Sequence, residues 1–170
     1  MTPDAIAAGM GVLIDANVIV YAVQGISAQC VRLLDRCAQE EVLGVVAVHT
    51  LAEVMHVLMI AEARDSGLLD KGARPAAWLA SHPERVRLMS RYDTIVRDVM
   101  AGGMQIEPLT PADIPAALTV QRQTGLLTND ALLLATGQRL RVLAIASADR
   151  ALAAAEGFTV YAPDDVGVQC

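Results

Sequence analysis

The sequence predicts a three-layer α/β domain built on a mainly parallel sheet of about five strands. Short apolar, β-branched runs alternate with longer segments of helical spacing along the whole chain. The runs are apolar throughout, as strands are when both faces of a sheet are covered. With 170 residues, 54% of them apolar, the chain suffices for one domain with a sizeable core, so the expected unit is 1–170.

The first strand is Gly11–Ile14, GVLI, which leaves Asp15 at its carboxyl end. The segment AQCVRLLDRCA, Ala28–Ala38, has apolar residues at helical spacing and sets Cys30 and Cys37 seven apart on one face. Both read as buried structural thiols rather than a redox or metal pair. Residues 42–48 form the second expected strand, and Thr50 the N-cap of the helix LAEVMHVLMIAEA. On that helix, positions 51, 54, 55, 58 and 59 should cover the apolar side, with Glu53, His56 and Ile60 on a narrow polar strip.

From 64 to 83, Gly67, Gly72, Pro75 and Pro83 interrupt the pattern, which predicts a loop or irregular insertion. Residues 84–100 regain helical spacing through Val86, Met89, Ile95, Val96 and Val99 before Gly102 and Gly103 end the helix. A third strand is expected at 104–109. Thr110, Pro111 and Asp113 then resemble a capping box with Thr110 as N-cap, which accounts for Asp113 as structure. A helix following Thr128, a strand at 142–146, a short helix from Arg150 and a strand at 158–161 complete the alternation. No internal repeat or low-complexity tract is present.

Several function classes are disfavoured. Three cysteines, Cys30, Cys37 and Cys170, with an opening MTPDAIAAGM that lacks a basic leader and carries Asp4, point to a reducing cytoplasm without disulfides. Residues 42–60 approach the length of a membrane span, but His49, Glu53 and His56 interrupt them, and an ionised group at mid-bilayer costs a few kcal/mol or more, so no membrane role is expected. The net charge of −6 argues against a generally basic nucleic-acid surface.

Ligands of open parallel sheets bind beyond the carboxyl ends of the strands, and that rule sorts the acids. Asp15 ends the first strand, and Asp149 follows the 142–146 strand by a short turn. If those strands are neighbours at the switch point of the sheet, their carboxylates meet. Asp130 lies in the first turn of an apolar helix, two residues after a possible Thr128 cap, and Glu53 about one turn into the helix after the second strand. Singly, Asp15, Asp130 and Asp149 read as acids at helix starts, where backbone N–H groups and the dipole suit them. Together, carboxylates at one sheet edge would repel one another and raise their own pKa values. Hard oxygen donors without a Cys or His set suit Mg²⁺ or Mn²⁺. Two such ions roughly 3.5–4 Å apart can activate a water and stabilise the leaving oxygen of a phosphodiester.

LIDANVIVYA, TLAEV, LLTNDALLLAT and IASADRAL together resemble the PIN-domain nucleases in order, type and spacing, across essentially the whole chain. The resemblance implies a PIN-like parallel sheet with helices on both sides and a metal-dependent endoribonuclease. Position by position, the family's acids fall on Asp15, Glu53, Asp130 and Asp149, its motif Asn on Asn17, and the Ser or Thr two before the last acid on Ser147. In the family these acids bind one or two Mg²⁺ or Mn²⁺ ions. Asn17 and Ser147 would then be orienting groups. Thr128 is a weaker candidate that reads most simply as a helix cap. His56 reads first as a structural histidine, and Arg150 either as a phosphate contact or as a solvated charge.

PIN proteins of this size further resemble the toxins of VapBC toxin–antitoxin pairs, implying an RNA substrate, a small antitoxin partner and a homodimer. The 64–83 stretch departs from the compact toxins of that kind. Arg64, Lys71, Arg74, Arg85, Arg87, Arg91 and Arg97 cluster between 64 and 97, but Asp65, Asp70, Glu84, Asp93 and Asp98 interleave them, and a solvated helix face is the plainer reading. Only Trp78, Tyr92 and their neighbours offer aromatic stacking there, too little to argue sequence-specific RNA readout. The competing expectations are a PIN-like binding module without catalysis, a housekeeping PIN nuclease, and an aspartyl-phosphate phosphatase. The last would want an acid two residues after Asp15, where Asn17 stands. The apolar surface around Cys30, Leu33, Leu34 and Cys37 could pack in the core or across a dimer.

Overall fold

The structure is a computed structural model and describes residues 1–69 and 74–166. The readings placed on Asp70, Lys71, Gly72 and Cys170 lie outside the described residues.

Five strands form one sheet: β1 Gly11–Ile14, β2 Leu43–Ala47, β3 Gln105–Glu107, β4 Ala144–Ala146 and β5 Thr159–Tyr161, in the order β3-β2-β1-β4-β5. Every neighbouring pair is parallel. Parallel neighbours need crossovers, which the helices supply: α1 Ala16–Val23, α2 Ala28–Ala38, α3 Val48–Asp65, α4 Pro75–Ser81, α5 Pro83–Val86, α6 Arg91–Ala101, α7 Asp113–Thr124 and α8 Thr128–Leu140. β1 is central, and its pleat sends alternate side chains into different layers. Val12 and Ile14 join a core with residues of α1, α2 and α3, while Leu13 joins Ile145 in a second core with α7 and α8. Leu13 pairs with Ile145 and Ile14 with Ala146, so β1 and β4 are neighbours at the point where the strand order reverses.

The strands are shorter than the apolar runs suggest, because helices begin as soon as the pleat ends. At β2 this moves the helix start: Ala47, in an extended conformation, is the N-cap, and the helix opens at Val48. Thr50, expected as the N-cap, is instead buried inside the first turn. Thr128 is likewise inside α8 with Leu127 at the cap position, and no side-chain bond caps that helix. Helix α7 starts only at Asp113, with Ala112 rather than Thr110 as N-cap. Half of the expected box survives: Asp113 Oδ2 accepts the Thr110 N–H at 2.7 Å and its hydroxyl at 3.0 Å. The other carboxylate oxygen accepts Arg139 Nε at 2.8 Å, tying α7 to α8.

The apolar face of α3 also differs from expectation. Met55 is exposed, whereas Ile60 and Met59 pack against a small satellite core of Ala63, Leu79 and Met89. The expected irregular stretch at 64–83 is largely helical where it is described: α3 extends to Asp65, and the two prolines open α4 and α5 rather than breaking helices. The single helix expected at 84–100 is broken, and the break has a cause. Glu62 projects from α3 and accepts the N–H groups of Ser90, Arg91 and Tyr92 at 3.0, 3.1 and 2.7 Å, capping α6 from another helix.

Within the basic cluster, Arg91 pairs with Asp65 and Arg97 with Asp93, so interleaved acids answer part of the charge. Trp78 stacks on His82, with ring centroids 4.0 Å apart. Cys30, Leu33 and Cys37 lie in the core, and burial pushes the Cys37 thiol up to about 11, as suits an inert structural residue. Among the described residues no single helix is long and apolar enough to cross a membrane.

Candidate active site

Asp15 follows β1 directly, and its N–H donates to Ala146 O of β4 at 3.0 Å, continuing the ladder one step past the strand. Its carboxylate caps α1: Oδ1 accepts the Ala16 N–H at 2.7 Å. Oδ2 accepts Asn17 Nδ2 at 2.6 Å and the Ser147 hydroxyl at 2.5 Å. Asn17 closes the network from the other side, because its Oδ1 accepts the Ala148 N–H at 2.9 Å. Ser147 Oγ in turn accepts the Asp149 N–H at 2.9 Å, which ties the turn carrying Asp149 to Asp15. Asp149 caps the short 3-10 turn Arg150–Ala154 through Ala151 N–H. The helix-start explanation of Asp15 and Asp149 is therefore correct as far as it goes, and both still stand at one sheet edge.

Glu53, Asp130 and Asp149 line one open depression with Leu127, Thr128 and Asn129. Asp130 shows the convergence most directly. Burial first, then the charges of Asp15, Asp149 and Glu53, push its carboxyl up to about 6. Asp15 is also raised, mainly by burial and further by Glu53, against the opposing bonds from Ser147, Ala16 and Asn17. Asp130 thus feels the charge of the other three sequence-predicted acids, Asp15 that of Glu53, and Asn17 and Ser147 bond Asp15 directly.

The remaining candidates fare differently. Thr128 lines the depression, and its Oγ1 accepts Gln121 Nε2 at 3.5 Å. His56 is exposed, and no bond links it to the acids among the described residues. Arg150 is exposed as well, with no ion pair among the described residues. Two residues at the site were not singled out by sequence: Asn129, whose Nδ2 donates to Glu53 Oε2 at 2.6 Å, and His49, whose Nε2 meets Asn129 O at 3.3 Å. The adjacency of Asn129 to Asp130 was the available signal. A separate apolar groove, lined by Val23, Leu34, Ile95, Val99 and Met104, shares no lining residue with the acids.

Four carboxylates without a thiolate or imidazole set form a hard-oxygen donor group suited to Mg²⁺ or Mn²⁺. Among the described residues, no three acidic, histidine or cysteine side chains already stand close enough to hold one ion. What converges is charge. The Asp130 carboxylate accepts no hydrogen bond among the described residues, and its pKa is raised by burial first and then by three neighbouring negative charges, which a cation would offset, so the donor set fits such an ion.

An open parallel sheet covered on both faces, with acids gathered beyond its carboxyl edge at the switch point, defines an α/β domain with an acidic site. The family model described as PIN domain matches residues 12–157, and the chain belongs to the PIN domain family. Its fold is similar to that of a toxin–antitoxin complex component from Klebsiella pneumoniae, with a TM-score of 0.57 at 17% identity, covering 87% of this chain and 95% of that one. VapBC2 from Rickettsia felis, bound to a DNA fragment from its promoter, matches at TM-score 0.57 and 14% identity, over 91% of this chain and 100% of that chain. A protein from Pyrobaculum aerophilum matches at TM-score 0.52 and 17% identity, covering 89% of each chain. No curated protein matches the sequence.

Proposed function

We propose that the protein is a metal-dependent endoribonuclease that hydrolyses RNA phosphodiester bonds and serves as the toxin of a toxin–antitoxin pair. The observation that carries the reading is the meeting of Glu53, Asp130 and Asp149 around one depression at the sheet edge where Asp15 ends β1, with burial and then Asp15, Asp149 and Glu53 raising the Asp130 carboxyl. A site that builds up negative charge in this way favours a divalent cation. PIN membership and the toxin–antitoxin systems among the structural neighbours support the rest.

In this reading Asp15, Glu53, Asp130 and Asp149 hold one or two Mg²⁺ or Mn²⁺ ions. When bound, such an ion supplies the positive charge that activates a water and stabilises the oxygen leaving phosphorus. Asn17 and Ser147 fix the Asp15 carboxylate through bonds of 2.6 and 2.5 Å, which limits its rotation as the substrate phosphate approaches. The acids sit at strand ends and in the early turns of helices, so in this reading the protein supplies position rather than a covalent intermediate. A small antitoxin protein and a homodimer complete the assignment.

The test is cleavage of structured and unstructured RNA by purified protein with Mn²⁺, Mg²⁺ or EDTA, beside Asp15→Asn and Asp130→Asn. Cleavage should need the metal and be lost in both variants; cleavage surviving EDTA or both substitutions excludes the mechanism. For the toxin role, expression should arrest growth and a co-expressed neighbouring small protein should relieve it. Active enzyme without growth arrest would indicate a housekeeping nuclease.

A further inference from the structure

We propose that Asn129 is a positioning residue that sets the spacing between Glu53 and Asp130, with His49 as its anchor. The inference rests on the nuclease reading above and deepens it. Glu53 rides on α3, which follows β2, and Asp130 on α8, which follows α7 and leads into β4. Among the described residues, two polar bonds join these helices, and both end on Asn129. Its side-chain Nδ2 donates to Glu53 Oε2 at 2.6 Å, and its backbone O meets His49 Nε2 at 3.3 Å.

His49 and Glu53 are one helical turn apart, so they reach out from the same side of α3. Together they grip the residue immediately before Asp130. A carbonyl oxygen can only accept, so the Nε2 of His49 carries the hydrogen and Nδ1 is left as a bare acceptor. That Nδ1 atom is buried and unpartnered. A buried polar atom without a partner disfavours the fold, so packing alone gives no reason for a histidine at this position. The bond to Asn129 does. Burial also disfavours the charged imidazole, in keeping with a neutral ring in one tautomer.

The arrangement leaves Glu53 Oε1 free to face a cation, because Asn129 occupies Oε2. Without Asn129 the Glu53 side chain regains its rotamers, and the distance from its carboxylate to Asp130 is no longer fixed. Partners that orient metal-binding carboxylates in this way change affinity or activity by about 10–100-fold when removed.

The test is Mn²⁺ binding by titration calorimetry, with RNA cleavage and thermal melting on the same samples, for the parent, Asn129→Ala, Asn129→Gln, His49→Phe and Glu53→Gln. Asn129→Ala should weaken Mn²⁺ binding about tenfold and lower kcat more than it raises KM, with little change in melting because the residue is exposed. Asn129→Gln, which keeps an amide donor, should recover most of the affinity. His49→Phe should show a smaller loss in the same direction. In the Glu53→Gln background, Asn129→Ala should add nothing, since it acts through Glu53. Parent-like Mn²⁺ affinity in Asn129→Ala, or an undiminished effect in the Glu53→Gln background, overturns the proposal while leaving the nuclease reading intact. A parent that binds no Mn²⁺ overturns both.

Discussion

Ser147 donates its hydroxyl hydrogen to Asp15 Oδ2 at 2.5 Å, across 132 positions of sequence. The bond exists because β1 and β4 are parallel neighbours, so the first residue past each strand's end meets the other at one edge. Ser147 is fully buried and serves three partners, accepting the Asp149 N–H and Asn17 Nδ2 while donating to Asp15.

Ser147→Ala should therefore destabilise the protein by about 1–3 kcal/mol, since it strands buried polar groups rather than removing a solvated contact. Asn17→Ala should do similar damage by freeing the Ala148 N–H and one Asp15 oxygen. Because the two residues bond each other and share Asp15, the double variant should lose less than the sum of the singles. Urea denaturation of the four proteins measures the coupling, and strict additivity would mean that the network does not act as a unit.

The pH dependence of stability without metal should carry the signature of Asp130. Its folded carboxyl titrates at about 6 against an ordinary 3.8. Between about pH 4 and 6 the folded protein holds a proton that the unfolded chain has released, so stability falls as pH rises through that window. The loss persists above it. Asp15 is raised too and adds in the same direction. Asp113 and Glu62 are held low despite the opposing effect of burial, Asp113 by Arg139 and Thr110 and Glu62 by three backbone N–H groups, and they lose their contribution as pH falls below the ordinary carboxylate range. Asp130→Asn should flatten the slope between about pH 4 and 6 and raise stability at pH 7 by about 1 kcal/mol, a figure already discounted for solvent screening at a half-exposed site. Denaturant midpoints across pH, in EDTA, decide it; an unchanged slope in the variant would remove Asp130 as the source.

Much of this site could be read along the chain because its acids obey a local rule: Asp15, Asp130 and Asp149 each lie where a strand ends or a helix begins, and the sheet supplies the convergence. The conditional step, adjacency of the strands that carry Asp15 and Asp149, is the one the β1–β4 pairing resolves. What pattern reading missed is non-local. Thr50 looks like a cap until Ala47 takes that role, and Met55 looks buried by its helical spacing yet lies exposed on α3. The break between α5 and α6 depends on Glu62, 28 residues from Ser90 in sequence, and no helical period encodes such a partner.

Gly137→Ala should be destabilising although alanine is the better helix former by about 1 kcal/mol. A Cβ at this position would lie 2.6 Å from Leu13 Cδ1, 2.8 Å from Phe158 Cε1 and 2.8 Å from Val142 O. The leucine could turn aside, but the backbone oxygen cannot, so α8 must move off the Val142 segment that leads into β4. Overpacking of this kind costs about 1–3 kcal/mol, which outweighs the propensity gain. Because α8 carries Asp130, RNA cleavage should fall in the same variant. A melting temperature at or above the parent's would show that the helix adjusts freely.

Glu62 gives the sharpest separation between local and global effects. Its carboxylate is the N-terminal cap of α6, accepting three successive N–H groups from 28 to 30 residues away, and it is 8% exposed. Glu62→Gln keeps the shape but turns one accepting oxygen into an N–H donor, which must then face at least one backbone donor. Glu62→Ala removes the cap altogether, at about 1–3 kcal/mol for groups left unpaired. The satellite core of Ala63, Leu79 and Met89 is joined to the main sheet mainly through α3 and α6, so the damage should stay in that arm. Hydrogen exchange should therefore accelerate at residues 90–101 in both variants, more in Glu62→Ala, while amides of β1 and β4 keep parent protection. Uniform acceleration across the sheet would mean instead that the arm and the site-bearing core unfold as one unit.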